Sequence, residues 1–517
     1  MGFWASFAKR YCAFLGDQAI CRSIFLNVKL KVASCVVQPL FGSITTLKML
    51  RSLYKDFHYQ EHQITGIRWM MQRECDDENK GGILCDEMGL GKTIEVLGLM
   101  KNTPVEATLL IAPLATLSQW EEKSIQGGFR VLRPSQFIPW ETVNKDQMEN
   151  PKCIFIVNYE KLIWRPSLLK EREVWGRVVF DEAHRLRNKN RGWDMAASIK
   201  THVHWFLTAT PIVNSVNDVR HLFMLMKVKD VPPDLNAMEN LIAKKVLARK
   251  MEHVRETVPN LPDPPQIHDH RLEFATEEEG EFYRGIQGAI MKRWKALESD
   301  GNLSGQHRFS LLMRLRQISI HPQVYIQARK KAWKKYSRAD WFDPSTKFLH
   351  LKKLMDEEKE SSHRWMIFCH FHTEMEMLQA YLEDLDFVHR VQIYSGDVSE
   401  TMRTEVIAKS KEELPEGKHE VLLLQLQAGG VGLNLQHFDK VCFMGPWWNA
   451  AIMDQAVGRA VRIGQKNQVV VHHIRLLEEE KTLNDSVIIN IDDYMMNKVE
   501  SKRILCDEFL EKAENEV

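Results

Sequence analysis

The stretch Gly81-Gly-Ile-Leu-Cys-Asp-Glu-Met-Gly-Leu-Gly-Lys-Thr93 has the residue types and spacing to hold a phosphate. An apolar strand running through a glycine-rich turn into a helix aims backbone N–H groups and a helix N-terminus at one point. Gly89 and Gly91 let the backbone come close to an anion, Lys92 reaches the β- and γ-phosphates, and the Thr93 hydroxyl is placed to ligate magnesium. Asp86 stands where the general pattern has glycine, and Glu87, Met88 and Leu90 complete the loop. A second signature is Val178-Val-Phe-Asp-Glu-Ala-His184, an apolar strand ending in paired carboxylates. Asp181 suits a magnesium ion held through water, and Glu182 suits orienting and deprotonating an attacking water. Either motif alone is common as a strand-end turn, and their joint occurrence points to an ATP site.

The elements that must position these residues are legible from pattern. Upstream, Ile64, Ile67 and Met71 recur at helical spacing, with Gln63 near the start of that helix, where its amide has the donor and acceptor to read an adenine edge. Apolar runs at 107–113, 153–157, 178–181 and 203–211 read as buried parallel strands alternating with amphipathic stretches. Such sheets bind ligands at the carboxyl ends of their strands, where Asp181, Thr208 and Thr210 all fall. Prolines at 259, 262, 264 and 265 mark a linker, and Thr276-Glu-Glu-Glu279 reads as a capping box opening a helical, irregular stretch. Within it, residues 328–338 interleave six cations with two aromatics, which fits phosphate contact and stacking or a solvated helix face. From Ser345, a helix cap, a second α/β lobe begins, with strands at 365–369, 391–394, 421–424, 440–443 and 469–472.

That lobe carries Ala428-Gly-Gly-Val-Gly-Leu-Asn-Leu435, a glycine-rich loop after a strand, and Asp454-Gln-Ala-Val-Gly-Arg-Ala-Val-Arg-Ile-Gly-Gln465, which puts Arg459 and Arg462 three apart on one helical face. Two guanidinium groups aimed at a γ-phosphate supply the arginine finger of phosphoryl transfer. The expected fold class is α/β, two parallel-sheet lobes in tandem. The expected divisions are an N-terminal extension (1–45), a first lobe (46–250), a linker and helical insertion (251–344), a second lobe (345–485) and a helical brace (486–517).

Composition agrees with two large lobes, since 517 residues exceed what one core supports. With 70 Lys and Arg against 69 Asp and Glu, any nucleic-acid contact must come from local basic patches. The nine cysteines form no C-x-x-C pair, which argues against zinc and a secreted disulfide framework and favours a reducing compartment. No run reaches the eighteen or so apolar residues that cross a bilayer. Gly2 and Ser6 match a loose acylation pattern beside bulky Phe3 and Trp4, and residues 1–45 read as a short helical extension on the first lobe.

Taken in order, Gln63, residues 86–93, Asp181-Glu-Ala-His184, Leu207-Thr-Ala-Thr-Pro211, residues 428–435 and Gln455 to Gln465 resemble the Swi/Snf-type DNA translocases of helicase superfamily two. Leu315-Arg-Gln-Ile-Ser-Ile-His-Pro322 is similar to the stretch that family carries between its lobes, and Trp447-Trp448-Asn449 looks most like the branch of the helicase-like transcription factor and postreplication-repair translocases, here without a RING module. The resemblance implies two RecA-like lobes closing on ATP and magnesium and gripping double-stranded DNA along its backbone. It assigns phosphate, magnesium and water roles to Lys92, Thr93, Asp181 and Glu182, and the arginine pair to Arg459 and Arg462. It adds Gln63, residues 86–93, Gly432 and Gln455 as nucleotide contacts, Thr208 and Thr210 as coupling residues, and Trp448, Asn434 and Arg403 as DNA contacts. Ala450, Gly458, Val461 and Gln425 depart from the family's proline, aspartate, histidine and serine. The partners implied are duplex DNA and chromatin or other DNA-bound proteins. No membrane and no zinc are expected, the motor is expected to be monomeric, and the place is the nucleus or a cytoplasmic site of viral DNA replication. The competing readings are a DEAH-like RNA helicase and a DNA-binding scaffold without turnover, the latter opposed by the intact Lys92, Asp181, Glu182, Arg459 and Arg462.

Overall fold

The computed structural model describes residues 50–514 except 77, 134–152, 165–173, 259–260, 397, 427–434, 463, 478–481, 484–485 and 488–489. The expected extension at 1–45 lies outside the described residues, as do Gly432 and Asn434.

The first sheet has seven strands: β1 Gly81–Leu84, β2 Thr108–Ala112, β3 Arg130–Leu132, β4 Cys153–Asn158, β5 Arg177–Asp181, β6 His204–Leu207 and β7 Val246–Leu247. Their order is β3-β4-β2-β5-β6-β1-β7, and every pairing is parallel. Buried on both faces, β1, β2 and β6 are unbroken apolar or near-apolar runs rather than alternating ones. Register places Asp181 opposite Leu207 and Leu84 opposite Leu207. The carboxyl ends of β5 and β1 therefore sit at one level, two strands or roughly 10 Å apart.

The second sheet has six parallel strands in the order β10-β11-β9-β12-β13-β8. These are β8 Gln266–Leu272, β9 His363–Cys369, β10 Val388–Tyr394, β11 His419–Gln425, β12 Lys440–Phe443 and β13 Val470–Leu476. Strand β8 falls in the segment expected to be linker and helix, yet it pairs with β13 at all seven positions. It is a largely exposed edge strand, Gln-Ile-His-Asp-His-Arg-Leu, so it lacks the apolar signal that betrays a buried strand.

Three helices, Glu277–Ser299, Gly305–Ile320 and Pro322–Ala332, pack between β8 and the rest of that lobe's sequence. Thr276 caps the first of them through Glu279 N, but Glu279 does not reach back to close a capping box. Its carboxylate is buried and accepts instead from Thr346 N and Oγ1 at 2.9 and 2.6 Å, while Ser345 Oγ accepts from Phe348 N. The helix Ile491–Glu514 touches both lobes: Ile491 and Met495 pack with Leu312 and Leu315, and Phe509 and Ala513 lie in the first lobe's core. No described helix is long and apolar enough to cross a membrane.

Candidate nucleotide site

The phosphate loop follows β1. Gly89 and Gly91 have φ of 97° and 92°, left-handed values that a side chain disfavours, and Gly91 caps the helix Lys92–Asn102. Leu90 is buried against Met251, Val254 and Val258. Lys92 Nζ donates to the carbonyls of Asp86 and Glu87 at 2.5 and 3.3 Å.

Beneath the loop lies a group that sequence reasoning missed. Arg249, just after β7, makes a two-pronged ion pair with Asp86 and a third contact to Glu95 at 2.7 Å, and donates to the His62 carbonyl. All three charged side chains are buried. Asp86 thus holds the loop from below. The same segment accepts from Cys85 N and Glu87 N through Leu247 O and Arg249 O, and Glu87 Oε2 accepts from Met251 N at 2.6 Å. Gln63 is drawn into this scaffold too, its Oε1 accepting from Gln60 N and its Nε2 donating to Leu90 O. A Cβ on Gly91 would meet Gln63 Nε2 at 2.6 Å, so the glutamine seats the loop, with both ends of its amide engaged by protein.

At the end of β5, Asp181 Oδ2 accepts from Trp120 Nε1 at 2.8 Å and Thr116 Oγ1 at 3.4 Å, and Oδ1 accepts from Glu182 N. Enclosure and the neighbouring Glu182 charge push the Asp181 carboxyl up to about 6. For Glu182 burial acts in the same direction, but the bond to His184 and the charges of His184, Lys92 and Arg459 outweigh it and hold the carboxyl below its usual range. Glu182 is thus kept as an acceptor. Its backbone has φ 50°, a left-handed conformation rare outside glycine that turns its side chain relative to Asp181. His184 Nδ1 lies 3.3 Å from both Glu182 and the Thr208 hydroxyl, which accepts from Thr210 N at 3.1 Å. The two threonines are therefore joined to the Glu182 carboxylate through His184.

The second lobe reaches the same carboxylate. Asn449 caps the helix Ala450–Val457, and from it Gln455 Nε2 donates to Glu182 Oε2 at 3.4 Å. The helix stops at Gly458, so Arg459 and Arg462 are on turns and not on one helical face, contrary to the spacing argument. Arg459 is buried and its charge acts on Glu182, while burial pulls its own guanidinium down to about 10, still cationic at neutral pH. Arg462 Nε donates to Gly458 O at 3.0 Å. At Gly458 an added Cβ would stand 3.5 Å from Met88 Cε, so the lobes meet here. A cavity of about 610 Å³ beside this contact is lined by Glu87, Met88, Thr210, Gln455 and Gly458 among others.

Two of the residues expected to touch DNA, Trp448 and Arg403, are held by the protein itself; the third, Asn434, lies outside the described residues. Trp448 packs 5.2 Å from the Arg316 guanidinium and 6.0 Å from Phe309, and Arg403 donates to the carbonyls of Val398 and Gly396. Thr93 and Asp181 supply only oxygen donors, which fits a hard cation such as magnesium.

Residues 62–232 match the SNF2-related domain, and residues 346–464 match the helicase conserved C-terminal domain. The chain is 27% identical over 450 residues to a probable global transactivator of Orgyia pseudotsugata multicapsid polyhedrosis virus, covering 82% of this chain and 87% of that one. It is 27% identical over 463 residues to the ISWI chromatin-remodeling complex ATPase ISW2 of Saccharomyces cerevisiae, covering 84% of this chain and 40% of that protein. The chain spans under half the length of the cellular remodelling relatives. Among solved structures, the Sulfolobus solfataricus SWI2/SNF2 ATPase core in complex with dsDNA aligns over 90% of this chain and 96% of that one, at 22% identity and a TM-score of 0.38. With both domains matched in order, and each falling on one parallel-sheet lobe, the chain is a Swi/Snf-type ATPase of helicase superfamily two.

Proposed function

We propose that this ATPase moves along double-stranded DNA, remodelling protein–DNA complexes or clearing blocks to repair, replication or transcription. The observation that carries the reading is the contact of Gln455 with Glu182, which makes the first lobe's water-orienting carboxylate depend on where the second lobe stands. Lys92 neutralises the β- and γ-phosphates, Glu182 orients the attacking water, and Arg459 brings positive charge toward the developing γ-phosphoryl group. Thr93 and Asp181 would hold magnesium, which when bound screens the phosphate charge. Because Glu182 is bonded through His184 to Thr208 and on to Thr210, a shift of the second lobe alters the carboxylate and the strand-end loop together.

The test is the ATPase rate with no nucleic acid, with duplex DNA, with single strands and with RNA. Duplex DNA is expected to stimulate most, and stimulation by RNA alone would reject the reading. Lys92→Ala should abolish turnover while leaving most duplex affinity, and triplex displacement should require hydrolysis. The viral relative and the cellular remodellers support, respectively, a viral replication site and the nucleus as places of action.

A further inference from the structure

The basic, aromatic stretch after the helix Pro322–Ala332 has no part in the nucleotide site. That helix ends at Trp333, whose backbone turns extended, and residues 333–345 contain no helix or strand. Irregular segments of this length inside a compact lobe are uncommon without a function, and this one is firmly anchored. Gln323 donates to Asp340 at 2.6 Å and accepts from Trp341 N at 2.7 Å, and Trp341 stacks on Phe282. Three of the six cations are used in the same anchoring. Arg338 lies 3.8 Å over the Phe282 ring, Arg329 lies 5.5 Å over Tyr336, and Lys330 pairs with Asp340 at 2.8 Å.

The other three are presented outward. Lys331, Lys334 and Lys335 are exposed and make no ion pair among the described residues, and Trp333 among them is 51% exposed. Segment 328–343 carries six cations against two carboxylates in a chain whose net charge is only +1. A fixed loop that presents a half-exposed indole, tilted 6.3 Å from the Tyr336 ring, beside three exposed lysines in sequence matches a polyanion that also offers flat rings.

We propose that Lys331, Trp333, Lys334 and Lys335 form a contact for a single nucleic-acid strand, separate from the cleft between the lobes. The lysines meet phosphates and Trp333 stacks on an unpaired base. A duplex keeps its bases stacked and would use only the lysines, and an acidic peptide would have no use for the indole. The inference does not depend on the translocase reading. Duplex-stimulated ATPase reports on the cleft, and single-strand affinity reports on this loop.

The experiment is fluorescence anisotropy on the full chain with a labelled single strand and with a duplex of the same length, over a salt series, with polyglutamate as competitor. Trp333→Ala should weaken single-strand binding at least about fivefold and leave duplex binding within twofold. The pair Lys334→Glu, Lys335→Glu should weaken it about tenfold and flatten the salt dependence by roughly 1.4 in log–log slope, about 0.7 per phosphate contact. ATPase activity without nucleic acid should be unchanged in both, which also reports that they are folded. Equal loss for strand and duplex in Trp333→Ala, no loss in either variant, or competition by polyglutamate as effective as by unlabelled strand would overturn the proposal.

Discussion

At the scale of single residues, the site is held by charges that come from far along the chain. Arg249 is 163 residues from Asp86 and 154 from Glu95, yet it joins the first turn of the phosphate loop to the helix leaving it. Burial and the adjacent Asp86 push the Glu95 carboxyl well up, so the two acids crowd one guanidinium, and removing Arg249 leaves the buried Asp86 charge uncompensated. Arg249→Ala should therefore cost about 3–5 kcal/mol in denaturant unfolding and raise the KM for ATP, whereas a fall in kcat alone would mean that the loop does not depend on this support. Arg459→Ala is expected to lower kcat by roughly a thousandfold or more with little change in stability. The phosphate loop was legible because its positive-φ glycines leave a residue-type trace. Arg249 left none, since an arginine after a short strand looks like any other and its partners are fixed only by the fold. Gln63 was legible as a residue at the site, but its engagement with Gln60 and Leu90 required the loop's path.

At the scale of elements, the buried parallel strands announce themselves as apolar runs, and the polar edge strand β8 does not. Its placement creates a histidine cluster at that edge. His270 Nε2 lies 3.0 Å from His472 Nδ1, the His270 and His350 rings are 4.7 Å apart, and His472 stacks on Trp365. Burial, then the neighbouring histidines, lowers His472 to about 3, and burial with His270 lowers His350 to about 4. Lys440 and Lys353 also face the cluster with positive charge and His268 stacks on His270 and His472, while Asp269 and Glu357 oppose it at His270. The unfolded chain binds these protons near pH 6.5 and the folded chain does not, so stability is full above that value and falls as pH drops toward 4. Each proton taken up only on unfolding contributes about 1.4 kcal/mol per pH unit. His472→Phe, which keeps a ring against Trp365, should flatten the melting temperature between pH 6.5 and 4 by about one proton's worth. An unchanged slope would place the acid sensitivity elsewhere. The arginine turn was misread at this scale because three-residue spacing suggests one helical face, whereas the helix stops at Gly458 and the turn that follows brings Arg459 toward Glu182.

Across the whole molecule, the helix Ile491–Glu514 ties the two lobes to each other. Asp492 is buried against Lys347 at 2.7 Å and accepts from Ser319, which fixes the near end to the second lobe. Phe509, with Leu505 and Leu510 packed around it, fixes the far end in the first lobe's core. Between them, Arg503 pairs with Asp454 one residue before Gln455, and Lys502 donates both to Trp448 O and to Asn214 Oδ1, the latter just past the Thr208–Thr210 loop. These middle ties flank Gln455, which donates to Glu182 Oε2, and Arg459, whose charge acts on the same carboxylate. The Arg503–Asp454 pair is exposed and worth at most about 1 kcal/mol, and the two Lys502 bonds, one exposed and one half-buried, go to neutral acceptors, so these ties bias the lobes and do not lock them. Lys502→Ala combined with Arg503→Ala should lower ATP turnover without nucleic acid by about two- to fivefold. Duplex DNA bridging both lobes should restore it nearly to the unmutated rate, so the stimulation ratio rises. If instead the double variant turned over faster without DNA, the helix would be a restraint that keeps the cleft from closing, and the sign of its contribution to the lobe equilibrium would be the reverse.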